Sequence, residues 1–280
     1  MPLFDLHVMV DWSAAGTPRQ GPDSIWIAVL DADGLALNNP ATRAGAEAAL
    51  DDLLAQATAA GRRALIGFDF PFGYPRGLSQ AIRPGGDWRD VWVLIGRNVA
   101  EGAANSNNRF HAAARLNALF PGQGPFWGNG LKAEIPGLPR KKPDGWGAHL
   151  PANRRLAEDQ AKGAQEVWKL SGVGSVGGQA LTGIATLARL KARHALAIWP
   201  FEAVAQGHVA AEIYPSLLPV RPAPGQVKDA AQVEAVARAY AAADAQGLLG
   251  RMLAAPLAPA QRTDEATILG LSHVDAMRAA

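Results

Sequence analysis

Leu65-Ile66-Gly67-Phe68-Asp69-Phe70-Pro71-Phe72-Gly73-Tyr74-Pro75 is an apolar run that carries one carboxylate and then breaks at proline and glycine. Its first half has the composition of a fully buried strand, and Pro71 and Gly73 mark its end. A carboxylate in such a place is costly to bury unless a partner or a cation meets it. Two other stretches repeat the pattern. Leu6-His7-Val8-Met9-Val10 leads into Asp11, and Val209-Ala210-Ala211 leads into Glu212, Ile213, Tyr214 and Pro215. Three acids on three strand-like runs form the strongest functional signal in the chain.

Outward from this run the elements fall into order. Residues 6–11 and 24–30 read as strands, and Asp31-Ala32-Asp33-Gly34 is a hairpin turn leading to a short third strand over 35–37. Thr42 caps a helix whose Ala46, Ala49, Leu50, Leu53, Leu54 and Ala57 follow the 3.6-residue period up to Gly61. The opening stretch, 64–70, is then the fourth strand. After Gly172-Val173-Gly174-Ser175-Val176-Gly177-Gly178 a helix with Leu181, Ile184, Leu187 and Ala188 on one face runs to Arg193. Residues 195–199 and 209–214 read as strands, and a helix begins near Asp229 and stops near Gly247. The fold class is therefore α/β, a mixed sheet in the order β-β-β-α-β-α-β-α flanked by helices.

Residues 76–171 interrupt this regularity with frequent Gly, Pro, Trp and Asn, and with one clear helix from Asn107 through Leu119. A structureless loop of that length is improbable in a compact domain. It reads as an insertion or lid packed on a core made of 1–75 and 172–250, with 251–280 as a helical tail.

Bulk composition narrows the function classes. The 280 residues carry a formal net charge of +2, with 49% hydrophobic and 19% charged residues, as in an ordinary globular protein. A sequence pI of about 9.0 permits an anionic partner without requiring one. The chain has no cysteine, which excludes disulfides, thiolate catalysis and cysteine-bound zinc. Its six histidines show no His-x-x-x-His spacing, and neither Ser13 nor Ser175 has an evident histidine partner. No apolar run approaches the roughly 18 residues of a membrane span, and no basic segment followed by an apolar one suggests a signal peptide. The expectation is a cytoplasmic protein with no membrane contact.

In open α/β sheets, sites form outside the carboxyl ends of the strands. Asp11, Asp69 and Glu212 lie at or near such ends, and grouped carboxylates suit Mg²⁺ or Mn²⁺. Each has a plainer reading: Asp11 as a turn-initiating residue, Asp69 as a hydrogen-bonded structural carboxylate, Glu212 as an outward-facing edge residue. Asp229, three residues before Gln232, makes a good helix N-cap, a role that does not prevent it from facing a metal. Gly172-x-Gly174-x-x-Gly177 fits a dinucleotide fingerprint after the strand-like Val167–Leu170, with Glu202 beyond it. A phosphate cradle at the helix N-terminus, or a plain close-packed turn, fits it as well. Arg140-Lys141-Lys142 and Arg154-Arg155, with Trp127 and Trp146 nearby, offer phosphate contacts and stacking surfaces, or simply a solvated charge run.

The segments Val10-Asp11-Trp12-Ser13, Gly67 to Gly73, Glu212-Ile213-Tyr214-Pro215-Ser216-Leu217 and Lys228-Asp229-Ala230-Ala231-Gln232-Val233 resemble the ordered motifs of the DUF429 family. The insertion resembles a bacterial branch labelled as molybdopterin-guanine dinucleotide synthesis proteins. It does so through Asn107-Asn108-Arg109-Phe110, Pro125-Phe126-Trp127-Gly128, Val167-Trp168-Lys169-Leu170, Gly174 to Gln179 and Trp199-Pro200-Phe201-Glu202. These pieces span about residues 8–235. The resemblance implies an RNase H-like fold and a nuclease, with Asp11, Asp69, Glu212 and Asp229 around Mg or Mn and Asp264-Glu265 competing for the last corner. Ser13, Arg109, Arg140, Lys141, Arg154, Arg155, Gly177 and Gly178 are the candidate substrate contacts. The expected activity is metal-dependent phosphodiester hydrolysis of a nucleic acid or nucleotide. Two other readings stand beside it. One is an actin-like phosphotransferase using Asp11–Gly16 as a phosphate loop; the other is a non-catalytic nucleotide- or pterin-binding protein serving molybdenum-cofactor maturation.

Overall fold

Six strands form one sheet: β1 (Leu6–Asp11), β2 (Trp26–Asp31), β3 (Gly34–Asn38), β4 (Ala64–Phe68), β5 (Leu196–Ile198) and β6 (His208–Glu212). Their spatial order is β3-β2-β1-β4-β6-β5. β1 pairs antiparallel with β2, and β2 antiparallel with β3. β1, β4, β6 and β5 run parallel to one another. The structure is a computed structural model and describes residues 1–147, 149–204 and 206–279.

The helices follow from the apolar periodicities. α1 (Arg43–Ala59) starts where Thr42 Oγ1 accepts the amide of Gly45, as the Thr42 cap predicts. α6 (Gly177–Arg193) and α7 (Lys228–Ala245) carry the two long amphipathic patterns of the second half. Between β4 and α6 lie α2 (Gly77–Ile82), α3 (Trp88–Asn98), α4 (Arg109–Asn117) and the short α5 (Leu156–Gln160). After α7 come α8 (Leu248–Leu253), a π-turn at Gln261–Glu265, and α9 (Val274–Ala279).

The period of two along each strand sorts the side chains onto two faces. Val8, Val10, Ile66, Phe68 and Ala210 enter one apolar cluster with α1, α3, α4 and α6. Met9, Leu65, Val209 and Ala211 enter the other, under Val233, Val236, Ala237 and Tyr240 of α7. Residues 76–171 pack on the sheet. Trp88, Trp92, Phe110, Phe126 and Trp168 bury their rings in the same cluster as Val10 and Phe68.

The opening stretch is held by an aromatic ladder. Phe68 and Phe70 lie 5.2 Å apart between ring centroids, Phe70 and Phe72 5.4 Å, and Trp12 flanks the row at 6.2 Å from Phe68. Trp92 Nε1 donates to the Phe72 carbonyl at 2.8 Å. Gly183 of α6 admits this packing, since a Cβ there would stand 2.3 Å from the Phe70 ring. With Phe68, Phe70 and Phe72 committed to one side, Asp69 has the other.

Several boundaries differ from those the sequence predicts. β4 ends at Phe68 rather than 70, so Asp69 is the first residue beyond it, although its amide still donates to the Val10 carbonyl at 3.2 Å. Ser24 and Ile25 precede β2, and Ser24 Oγ closes the preceding loop on the Gly21 carbonyl at 2.6 Å. Val167–Leu170 is a turn with one bridge to Trp127, and it is apolar because Val167 and Trp168 plug the core. Gly172 and Gly174 take left-handed φ values of 96° and 71°. With no strand before them, the dinucleotide fingerprint loses the context it needs.

Candidate carboxylate site at the strand ends

Asp11 ends β1, and Asp69 follows β4 directly. The two strands are adjacent and parallel, with Val10 opposite Phe68, so the next residues stand side by side. Both acids occupy the odd positions that face α7, the same parity as Met9 and Leu65. Asp69 Oδ1 accepts the Trp12 amide at 2.7 Å, which fixes the turn out of β1. The Asp69 and Asp11 carboxyl groups also lie within hydrogen-bond reach of each other.

Asp229 enters from the first turn of α7. The N-cap reading for it is corrected: Val227 occupies the cap position, and no side chain caps the helix. Asp229 Oδ2 instead accepts the amide of Asp23 at 2.7 Å, tying α7 to the loop before β2. Asp23 adds a fourth carboxylate that no pattern in the sequence singles out, being an exposed residue in a Pro- and Gly-rich loop with φ of 54°.

Electrostatics bind these groups into one unit. Burial, then the charges of Asp69 and Asp229, push Asp11 well above the usual carboxylate range. Burial raises Asp69 to about 7, with the Trp12 amide and the Asp11 hydrogen bond opposing it. Two acids in hydrogen-bond contact cannot both ionise cheaply. Both members of the pair are therefore pushed towards the protonated form, by burial first and, at Asp11, by the proximity of Asp69 second.

Glu212 stands apart. It is level with Phe68 in the register, and its parity is that of Ala210, so it faces the insertion rather than α7. Its carboxylate is buried and paired twice with Arg155: Oε1 accepts Nη2 at 2.7 Å and Oε2 accepts Nη1 at 2.8 Å. Oε2 also accepts the Phe72 amide at 3.1 Å. Neither role expected of Glu212, free ligand or exposed edge residue, matches this geometry. Arg155 is equally committed, with Nε on Glu158 Oε1 at 2.8 Å and Nη1 also on the Glu265 carbonyl. Burial works against its charge, but Glu212 and Glu158 outweigh it and raise its pKa. A guanidinium so engaged is not free to meet a phosphate.

Asp264 and Glu265 are not at the Asp11–Asp69 corner either. Asp264 accepts the Ser79 hydroxyl and its carbonyl accepts the Tyr74 amide, while Glu265 accepts the Leu156 amide at 2.9 Å. They fasten the tail to the insertion.

The other candidate contacts scatter. Arg140 closes its own loop, donating to Glu134 and to the Leu131 and Lys132 carbonyls. Lys141 is exposed. Arg154 holds Asp159 and the Ala164 carbonyl. Ser13 Oγ accepts the Ala15 amide at 3.3 Å, in the turn after Asp11. Gly177 and Gly178 open α6, and a Cβ at Gly177 would lie 2.4 Å from the Val167 carbonyl oxygen, which explains glycine there by packing alone. Arg109 lies against Gly178.

Three residues that steady the site carry little signal in the sequence. Gln179 Nε2 donates to the Trp12 carbonyl at 2.6 Å. Buried Arg43 donates to the Ser13 and Ala15 carbonyls at 3.1 and 2.7 Å and pairs with Glu101 at 2.9 Å. Asn105, at a left-handed φ of 66°, accepts the Arg43 amide at 2.7 Å and receives Arg43 Nη2 on its carbonyl. Arg43 leaves one trace in the sequence: a cation in the first turn of a helix opposes the dipole and asks for another purpose.

A cleft of about 630 Å³ opens over the carboxylates, and Glu212 and Arg155 line it together with Asp11, Asp23, Asp69 and Gln232. Its lining holds five carboxylates and the single, fully engaged Arg155. Among the described residues, no group of three or more His, Asp and Glu stands in ready metal-holding geometry. The donor chemistry is nevertheless of the class a hard divalent cation takes: the Asp11 and Asp69 carboxyl groups stand side by side, with Asp229 near enough for its charge to act on both. No helix is long and apolar enough to cross a membrane among the described residues. No family model, curated protein or solved structure matches the chain in comparisons with each.

Proposed function

We propose that the protein is a metal-dependent phosphodiester hydrolase, a nuclease of RNase H-like fold related to the DUF429 family, acting on a nucleic acid or nucleotide with Mg or Mn. The observation that carries this reading is the juxtaposition of the Asp11 and Asp69 carboxyl groups at the carboxyl ends of adjacent parallel strands, with Asp229 beside them. The strand order, with its antiparallel β2 and β3 on one side of β1 and parallel strands on the other, is in keeping with it.

In this reading Asp11 and Asp69 would hold the cation, with Asp229 as a further donor and Glu212 confined to a structural role. The cation would neutralise phosphate charge and acidify a bound water. The chain's own contribution is positional. Trp12, Arg43 and Gln179 lock the turn after Asp11, so both carboxylates are presented without reorganisation. The cleft carboxylates that Arg155 does not neutralise, Asp11, Asp23 and Asp69, disfavour a bare phosphate, so binding of substrate and cation would be coupled.

The phosphotransferase reading draws less support. The Trp12 and Ala15 amides, which a phosphate loop would offer, already donate to Asp69 and to Ser13 Oγ. The decisive experiment incubates the protein with Mn²⁺ and single- or double-stranded DNA and RNA. Cleavage that Asp69→Asn abolishes, with the variant still folded, supports the proposal. A wild-type protein inert on every nucleic acid, yet binding a nucleotide tightly, sinks it.

A further inference from the structure

Arg109 is a partly buried cation that nothing in its surroundings neutralises. Its Nη1 donates to Asn107 Oδ1 at 2.8 Å, a neutral acceptor. Its Nε is fully covered and has no partner. No carboxylate pairs with it among the described residues; burial first, and then the nearby guanidinium of Arg43, lower its pKa to about 10. Other arginines of this region are placed differently: Arg43 has Glu101, Arg155 has Glu158 and Glu212, and Arg189 has Glu47. Burying a cation without such a partner is unfavourable unless some other anion meets it.

The side chain is nevertheless held firmly in that place. The guanidinium lies over the Phe110 ring, 4.4 Å from its centroid. The stem lies against Gly178, where a Cβ would approach Arg109 Cδ and Nε to 3.1 Å. Asn107, which orients the guanidinium, also reaches the Ala14 carbonyl at 3.5 Å. Among the described residues Nη2 meets no hydrogen-bond partner, and it is not covered. Packing thus fixes the fork against the start of α6 and the turn that follows Asp11, with one edge open.

We propose that Arg109 is the cationic element of an oxyanion site, taking a phosphate group on its open Nη2 edge beside Asn107 and the first turn of α6. Phosphate is the class that suits a planar fork with fixed donors, and an anion there supplies the charge the fold leaves out. That this phosphate belongs to the substrate, one flanking the group attacked at Asp11 and Asp69, rests on the function proposed above. The binding itself does not.

The test follows the arginine side-chain Nε–H resonances by NMR while inorganic phosphate is added to the full chain, with sodium chloride at matched ionic strength as the control. The Arg109 signal is identified by its absence in Arg109→Gln. A saturable shift of that signal in the wild type and in Asp69→Asn, and phosphate affinity weakened about tenfold or more in Arg109→Gln, support the site. Arg109→Lys, which keeps the charge and loses the fork, should bind more weakly than wild type, and it replaces the glutamine variant if that fails to fold. No phosphate-specific shift in the wild type, or undiminished affinity in the variants, overturns the proposal. Repeating the titration with a short oligonucleotide separates substrate phosphate from free phosphate: a shift with phosphate alone leaves the site standing without the nuclease reading.

Discussion

Asp11 and Asp69 bring their carboxyl groups within hydrogen-bond reach of each other although both are acids, and they meet because the parallel register of β1 and β4 sets Val10 beside Phe68. Stability and any chemistry at this end of the sheet therefore depend on what compensates the second negative charge. A proton serves at low pH and a cation would serve at higher pH. Unfolding measured against pH, and then against metal, separates these cases.

Replacing Asp69 by Asn should stabilise the protein at pH 8 and have less effect at pH 5. In the unfolded chain Asp69 ionises near the ordinary carboxylate value of 3.8, whereas in the folded chain it does so at about 7. The folded state thus binds more protons across that window, and stability falls as pH rises through it. The asparagine carbonyl can still accept the Trp12 amide. A gain on the order of 1–3 kcal/mol at pH 8, shrinking towards pH 5, is expected from thermal or urea unfolding. An equal difference at both pH values would show that the pair does not titrate in this range.

Manganese should raise the melting temperature of the wild type more at pH 8 than at pH 5, since the cation competes with protonation of the pair. The double variant Asp11→Asn/Asp69→Asn should lose the response. Scanning calorimetry with and without the metal checks both statements, and a response that survives in the double variant places the ion elsewhere.

Arg155→Met should cost about 3–5 kcal/mol, because it leaves Glu158 and Glu212 buried without their cation. Glu212→Gln should cost less, since its amide can still bond Arg155 and Phe72, and it should keep the manganese response. Urea unfolding followed by tryptophan fluorescence measures the ranking. Loss of the manganese response in Glu212→Gln would return that residue to the metal site.

The sheet is legible in the sequence because β1, β4 and β6 are apolar on both faces and end in punctuation, and because α1, α6 and α7 repeat at 3.6 residues. The neighbourhood of Asp11, Asp69 and Asp229 is legible for the same reason: strand ends next to each other carry their following residues together. What a strand pattern does not reveal is how a residue beyond periodic reach will pair. Arg155 is 57 positions from Glu212, inside a segment without regular pattern. Glu212 therefore reads as a free acid, and Arg155 as part of a solvated basic run. At Asp229 a local rule misleads, since a good capping residue near a helix start is assigned the cap while its carboxylate reaches the amide of Asp23. At Val167–Leu170 composition misleads, because a turn that plugs a core has the apolar content of a strand.

One guanidinium, that of Arg155, touches residues 158, 212 and 265, which belong to the insertion, the sheet and the tail. A protein cut back to its sheet and long helices would keep Glu212 at the end of β6 and lose the cation that makes it tolerable there. The three stretches consequently behave as one inheritance unit. Shortening or exchanging the insertion, in the laboratory or in evolution, requires a simultaneous change at Glu212. Whether Glu158→Leu and Glu212→Leu together rescue an Arg155→Leu chain measures how tightly the three stretches are bound to a common fate.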